Sequence, residues 1–181
     1  MTSPTDETSK IQRIALWLNL LIWAAAIFAL IETGFFFFSD IPITLYLQGE
    51  LWTKEFSSFA MQDQLVLFGL LSIEKVLWLG ILYQFWRLCR FYRNNQVFTV
   101  QNAYCFMKTG WLLLGICLSE VALIPLVGGY LYYRQILPQM PDLQYALIFN
   151  VDYLVPGLFF WLIAKIMEQA ALMQEEADLT I

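Results

Sequence analysis

Four long apolar stretches, separated by polar segments, set the pattern of this chain. The first carries no charge from Ile14 to Ile31 and stays largely apolar through Phe38. A helix needs about 20 apolar residues to cross a hydrocarbon core of about 30 Å. We therefore predict membrane-spanning helices over residues 14–37, 64–86, 111–133 and 143–166. The first run exceeds the apolar core of a cleaved signal peptide, which is about 7–15 residues, so we expect it to persist as an anchor.

The segments between these runs predict how the spans are joined. Residues 1–10 are polar and predict a mobile cytoplasmic tail, Ser39–Asp63 is a long connector, and a short proline-containing turn covers residues 134–142. Helical spacing continues past the fourth span, which predicts an extension over residues 167–181. Because short connectors join antiparallel neighbours, we predict an all-α integral membrane protein, an antiparallel four-helix bundle in one domain of residues 11–181.

Composition supports a membrane protein and excludes several kinds of chemistry. Of the 181 residues, 60% are hydrophobic and 14% are charged, well away from soluble averages. The absence of histidine removes bis-histidine haem ligation, histidine-bearing zinc sites and histidine acid–base catalysis. The net charge of −5 and the lack of a long basic block argue against direct nucleic-acid binding. Three cysteines without a CxxC pair are expected to be packed thiols, and no cofactor or metal is predicted.

Lysine and arginine near the span ends predict the orientation. Basic residues concentrate on the cytoplasmic side of membrane proteins. The side that holds both chain ends would carry seven of them and the opposite side only two, Lys54 and Arg134; the seven are Lys10, Arg13, Arg87, Arg90, Arg93, Lys108 and Lys165. We expect both termini to be cytoplasmic.

Four charged residues fall near the middle of the predicted spans: Glu74, Lys75, Glu120 and Asp152. A charge near the middle of the bilayer costs several kcal/mol unless it is paired or hydrated. We expect Lys75 to reach Glu120 or Asp152 across the bundle. The cluster is open to two interpretations, a proton or ligand site and a structural clasp that fixes helix register. Two prolines near these acids would each free a helix carbonyl, which favours the first interpretation; they are Pro125 and Pro156.

The polar connector after the second span contains three arginines at helical spacing, Arg87, Arg90 and Arg93. They extend the second span into the headgroup zone. One interpretation is an anchor that contacts lipid phosphates, and the other is a docking face for an acidic partner.

A helix start follows the arginines. Thr99 stands at an N-cap position, where its hydroxyl can accept the amide of Asn102, and Phe98 can pack back onto the new helix as a hydrophobic staple. At the other end of the chain, the acidic helical extension is either a solvated helix end or a surface that grips a cytoplasmic protein.

Two motifs resemble a known family. The connector reads Val97-Phe98-Thr99-x-x-Asn102, and the chain closes with Leu172-x-x-Glu175-Glu176-x-Asp178-Leu179-Thr180-Ile181. Both are similar to motifs of the bacterial "domain of unknown function 2975" proteins, and the resemblance covers essentially the whole chain after the tail. The resemblance implies a small four-span protein of the bacterial inner membrane. Genes of this family often neighbour one for a small helix-turn-helix regulator of the Cro/C1 type, which suggests that the protein tethers or restrains such a regulator.

Three classes of function compete. The first is a regulatory or sensory membrane protein that acts through its cytoplasmic connector and C-terminal end. The second is a small transporter or proton-coupled subunit that uses the acids of the membrane interior. An intramembrane enzyme is the third, but the sequence holds no HExxH or GxSxG motif, so we expect no enzymatic activity.

Overall fold

The structure, a computed structural model, describes residues 4–39, 41–94, 96, 99–142 and 152–179, with side-chain detail for all of these except 4–12, 37–38, 175 and 177–179. It contains four long helices: α1 (Pro4–Phe38), α2 (Met61–Arg93), α3 (Val100–Tyr133) and α4 (Leu154–Leu179). Each contains a segment long and apolar enough to cross a membrane: residues 13–36, 61–93, 100–133 and 154–174. The protein is therefore a multi-pass membrane protein with an antiparallel helical bundle, as the sequence predicts.

Helix α1 begins earlier than expected. The polar segment of residues 1–10 predicts a mobile tail, but the helix already starts at Pro4. Proline suits the first position of a helix because its fixed φ is helical and its missing amide hydrogen has no partner there in any case.

Helices α2, α3 and α4 share an apolar core. Its buried centre is formed by Ile81 of α2 with Leu113 and Ile116 of α3, and Phe160 of α4 packs against them. Helix α1 packs along α2, and most of its large apolar side chains stay exposed. A helix that is apolar on all sides faces lipid as well as protein, so α1 is the peripheral member of the bundle.

The connector between α1 and α2 is a β-hairpin, which the sequence interpretation did not predict. Strand β1 (Pro42–Leu47) pairs antiparallel with β2 (Glu50–Glu55). The two-residue turn places Gln48 at φ 51° and Gly49 at φ 84°, and left-handed residues of this kind give a hairpin turn the twist of its strands. Each strand is six residues long, so the hairpin forms a short cap on one end of the bundle.

The hairpin covers the ends of α2 and α3. Alternate residues of β1 point inward and join two buried phenylalanines and the helix ends in one core: Ile43, Leu45, Leu47, Phe56, Phe59, Leu67, Val127, Leu131 and Leu137. Asp142 fixes the hairpin turn from outside, because its carboxylate accepts the Gly49 amide at 3.1 Å and its own amide donates to Tyr46 at 2.9 Å. We call this side of the bundle the hairpin end and the opposite side, which holds Arg87–Arg93, the arginine end.

Candidate functional site

The arginine end begins with the last turns of α2. The helix continues beyond the predicted span to Arg93, and Asn94 closes it. Arg87 and Arg90 lie over neighbouring rings, 5.8 Å from Phe91 and 5.9 Å from Trp86 respectively. Stacking of this kind holds a guanidinium close to the apolar surface while it stays charged. The predicted helical row of arginines is therefore present, with Arg90 and Arg93 exposed.

The connector after the arginines is held by two side chains. The Thr99 hydroxyl accepts the Asn102 amide at 3.3 Å, which confirms the predicted N-cap. The Asn102 side chain donates to the Gln96 carbonyl at 2.6 Å and is fully buried. The Asn102 side chain therefore fixes the connector against the start of α3. The predicted staple residue Phe98 lies outside the described residues.

Helix α4 lies beside the start of α3 at the same end. A small cavity of about 60 Å³ between them is lined by side chains of both helices: Val100, Ala103, Tyr104, Met107, Ala164, Lys165 and Glu168. Lys165 donates to Glu168 at 2.8 Å on the exposed side of α4. Gly110 of α3 lies against Gly157 and Trp161 of the antiparallel α4, so the start of α3, ten residues earlier, lies about level with residues 167–171. The remaining residues 172–179 of α4 thus extend past α3 by about 12 Å, at about 1.5 Å per residue.

The C-terminal signature occupies that projecting segment only in part. Leu172, Met173 and Glu176 are exposed there. The structure does not describe the side chains of Glu175, Asp178 and Leu179, and Thr180 and Ile181 lie wholly outside the described residues. The described part of the projection therefore presents two large apolar side chains next to a carboxylate.

Lys75 does not join the acids of α3 and α4, which corrects the sequence interpretation. Its ammonium donates to both carboxylate oxygens of Glu32 on α1, each at 3.1 Å. The prediction was wrong because spacing along α2 gives the direction of a side chain but does not identify the helix that lies there. The pair instead joins the peripheral helix α1 to the rest of the bundle, and both side chains are partly exposed.

The three predicted acids do lie near one another, without the lysine. Glu74 accepts a hydrogen bond from the Trp78 indole at 3.3 Å. Glu120 lies within electrostatic reach of both Glu74 and Asp152, and Tyr153 interacts with all three. Within the described ranges no three acidic or cysteine side chains converge closely enough to hold a metal ion. The arrangement is thus a loose group of three carboxyl groups around the Tyr153 side chain.

Asp152 also differs from its predicted place inside a continuous span. It lies in a turn just before α4, and Pro156 is in the first turn of that helix, where no helical hydrogen bond is lost. Gly157 packs against Gly110 and Leu114. The start of α4 therefore lies beside the middle of α3, at about the depth of Glu120. Of the predicted fourth span, residues 143–151 lie outside the described part of the chain.

A polar cluster at the hairpin end was missed by the sequence interpretation. The buried carboxylate of Asp63 accepts hydrogen bonds from the Tyr130 hydroxyl at 2.7 Å and the Arg134 Nε at 2.9 Å. The hydrogen bond to Asp63 raises the pKa of the Arg134 guanidinium above its usual value, so this residue stays charged. A signal was present in the sequence, because Asp63 directly precedes the predicted second span and Arg134 directly follows the third, and these two ends meet in an antiparallel pair. The cluster joins α2 to α3 and has a structural role.

Comparison with known proteins gives one match. No curated protein and no solved structure is similar to this chain. The model of the family described as "Protein of unknown function (DUF2975)" matches residues 73–181, which is less than the whole-chain resemblance expected and leaves out α1 and the hairpin. The match includes the second half of α2, the connector, α3 and α4. Because it spans more than half of the sequence, the chain belongs to this family.

Proposed function

We propose that this membrane protein is regulatory and acts through its arginine end on a small cytoplasmic helix-turn-helix regulator of the Cro/C1 type. The observation that carries the proposal is the projection of α4. Residues 172–179 extend past the start of α3 and expose Leu172 and Met173 beside Glu176. A helix with apolar and acidic positions of this kind can dock into a groove of a folded partner, with its apolar side chains as anchors.

A second surface lies next to this projection. The start of α3 exposes Val100, Gln101 and Tyr104, and the end of α2 exposes Arg90 and Arg93. The end of the bundle therefore offers positive charge on α2 and negative charge on α4. A partner with both signs of charge would be bound in one orientation, because like charges placed opposite each other are unfavourable.

The proposal places both chain ends in the cytoplasm and the protein in a bacterial inner membrane. Support comes from the excess of lysine and arginine at the arginine end. Single cysteines at two exposed positions test this orientation, Glu50→Cys at the start of β2 and Asn94→Cys after α2. In a chain whose three native cysteines are replaced by serine, a membrane-impermeant maleimide should label position 50 in intact cells and position 94 only after lysis. The reverse pattern would invert the orientation and exclude a cytoplasmic contact at the arginine end.

The regulatory role is tested by retention of the regulator at the membrane. A Cro/C1-type protein from the same cell is co-expressed with the full chain, with a chain that stops after Ala171, and with Thr53→Ala. Thr53 is exposed on β2 at the hairpin end and serves as the control. We expect the regulator to sediment with membranes that contain the full chain or Thr53→Ala, and to stay soluble with the truncated chain. Equal sedimentation with all three, or with none, would contradict the proposal.

A second candidate function, proton-coupled transport, is favoured by one observation. Glu120 lies within electrostatic reach of Glu74 and Asp152. Asp152 itself belongs to a turn that lies level with the middle of α3. Non-helical backbone at that depth is tolerated where it is buried in protein or lines a hydrated cavity. Proton flux into liposomes that is lost in Glu120→Gln and kept in Glu50→Gln, which changes an exposed hairpin acid, would support this function. Equal flux in both variants and in empty liposomes would exclude it.

A further inference from the structure

An apolar groove lies between α1 and α2 in the half of the bundle nearest the arginine end. Its volume is about 290 Å³, and it is lined by apolar and aromatic side chains of both helices: Ile22, Trp23, Ala26, Leu79, Leu82, Tyr83 and Trp86. Tyr83 and Trp86 stack with ring centres 5.8 Å apart along one wall. Because α1 is peripheral, the groove is accessible from the surrounding bilayer.

The groove meets a polar cavity at its arginine end. This second cavity has a volume of about 180 Å³ and is lined by Asn19, Trp86, Cys89, Arg90 and Arg93. Trp86 lines both cavities, so the polar cavity lies directly next to the apolar groove. An elongated apolar space that ends at two arginines has the amphipathic shape of a lipid molecule.

The polar cavity holds groups that suit a phosphate. Arg90 is exposed, and no carboxylate in the described part of the chain forms an ion pair with it. The side-chain oxygen of Asn19 is buried without a hydrogen-bond partner there. Buried polar atoms are normally hydrogen-bonded, so this amide indicates a ligand. Since its oxygen and nitrogen can exchange places by a flip, Asn19 can donate to a phosphate or accept from a headgroup hydroxyl.

The depth of the two cavities agrees with this chemistry. Measured from the middle of α2 at Leu77, Trp86 lies about 14 Å and Arg90 about 20 Å toward the arginine end, at about 1.5 Å per residue. The hydrocarbon half of one leaflet is about 15 Å thick, and the headgroup region extends several Å beyond it. The groove therefore lies at acyl-chain depth and the arginines lie at phosphate depth.

We propose that these two cavities form a binding site for one anionic phospholipid, with an acyl chain in the groove and the headgroup phosphate between Arg90, Arg93 and Asn19. The site binds the phosphate by charge and the chain by apolar contact with Trp86 and its neighbours. The inference concerns α1 and α2 and does not depend on the regulatory role proposed above.

Native mass spectrometry of the full chain in a mild detergent tests the site. The probes are phosphatidylglycerol, phosphatidylcholine with the same acyl chains, and inorganic phosphate alone, each added in turn. The variants are Arg90→Gln in the polar cavity, Arg90→Lys as its charge-retaining partner, and Ala26→Trp to fill the groove. Arg87→Gln is the control, because Arg87 belongs to the same helical row but does not line either cavity.

We expect one tightly held phosphatidylglycerol per chain and weaker retention of phosphatidylcholine. Arg90→Gln should lower phosphatidylglycerol affinity about fivefold, Arg90→Lys should largely restore it, and Arg87→Gln should leave it unchanged. Ala26→Trp should lower the affinity for both lipids. Equal retention of the two lipids, or equal losses in Arg90→Gln and Arg87→Gln, would overturn the proposal in favour of unspecific annular lipid. Displacement of the lipid by inorganic phosphate alone would show an anion site without a lipid chain and would equally overturn it.

Discussion

The backbones of α3 and α4 approach each other closely where the two helices cross at Gly110, and a single methyl group can test this contact. A Cβ atom at position 110 would lie 2.8 Å from the Gly157 carbonyl oxygen and 3.1 Å from the Trp161 amide nitrogen. Both are backbone atoms of α4, so no side-chain rotation can make room. We predict that Gly110→Ala forces the two helices apart.

The expected cost follows from these distances. Carbon atoms pack best at about 3.5–4.0 Å, so the helices must separate by several tenths of an ångström. A gap of about 0.5–1 Å already forfeits a quarter to a half of the attraction between the facing atoms. Overpacking of this kind costs about 1–3 kcal/mol. Membrane helices associate largely through such close contacts at small residues, so we expect most of this cost to appear in the stability of the bundle.

A matched control lies five residues further along α3. A Cβ atom at position 115 would meet only Leu77 side-chain atoms, the nearest at 3.7 Å, which is an ordinary contact. Both substitutions gain up to about 1 kcal/mol of helix propensity on replacing glycine. The difference between the two variants therefore isolates the packing cost, and Gly115→Ala should be neutral or slightly stabilising.

The assay is equilibrium unfolding in mixed detergent micelles, followed by far-ultraviolet circular dichroism. Gly110→Ala should unfold about 1–3 kcal/mol more easily than Gly115→Ala. Equal stabilities of the two variants would refute the close α3–α4 crossing. The placement of α4 beside the middle of α3 rests on the same contact and would have to be revised as well.

Three further predictions concern polar contacts and use the same unfolding assay. Thr99→Ala should lower the free energy of unfolding by about 1 kcal/mol through loss of the N-cap, whereas Thr99→Ser should keep the native stability. Equal losses in the two variants would show that the hydroxyl does not act as a cap. Lys75→Met should lower the free energy of unfolding by up to about 3 kcal/mol because Glu32 loses its partner. Adding Glu32→Gln to this variant should recover most of the loss. A double variant as unstable as Lys75→Met would refute the pairing. Arg134→Met should be more destabilising than Thr99→Ala because it leaves Asp63 buried with a reduced set of donors, and a melting curve unchanged from the native chain would exclude that role.

Local patterns along the chain predicted the helices and their ends at the arginine side. The apolar runs identify four spans because a helix in lipid must be apolar over its whole length. Thr99 identifies the start of α3 because N-capping depends on residues only a few positions apart. These features need no knowledge of the neighbouring helices.

The hairpin was missed although its pattern is present in the sequence. Ile43, Leu45 and Leu47 alternate with polar or exposed positions, and Gly49 follows at the turn. Six-residue strands give a weaker signal than a 20-residue apolar run, and the aromatic residues nearby also suit a membrane boundary. Only the covering of α2 and α3 by the hairpin makes the inward positions buried, and that is a tertiary property.

The partners of the ionisable side chains were harder to predict for the same reason. Sequence spacing places Lys75 on one face of α2, but Glu32 of α1, Glu120 of α3 and Asp152 in the turn before α4 all lie near that depth. The choice among them depends on which helix packs against that face. Likewise, the pairing of Asp63 with Arg134 depends on α2 and α3 being neighbours at the hairpin end.

The contacts divide the bundle into a tightly packed unit and a more loosely held helix. Buried apolar side chains join α2, α3 and α4, and the α3–α4 backbones meet at Gly110 and Gly157. Helix α1 is joined to α2 by the partly exposed Lys75–Glu32 pair and borders the groove and polar cavity. A contact that leaves space between the helices costs less to separate than a close-packed core. Movement of α1 away from α2 is therefore less costly than separation of α3 from α4, and a lipid bound between α1 and α2 would oppose it directly.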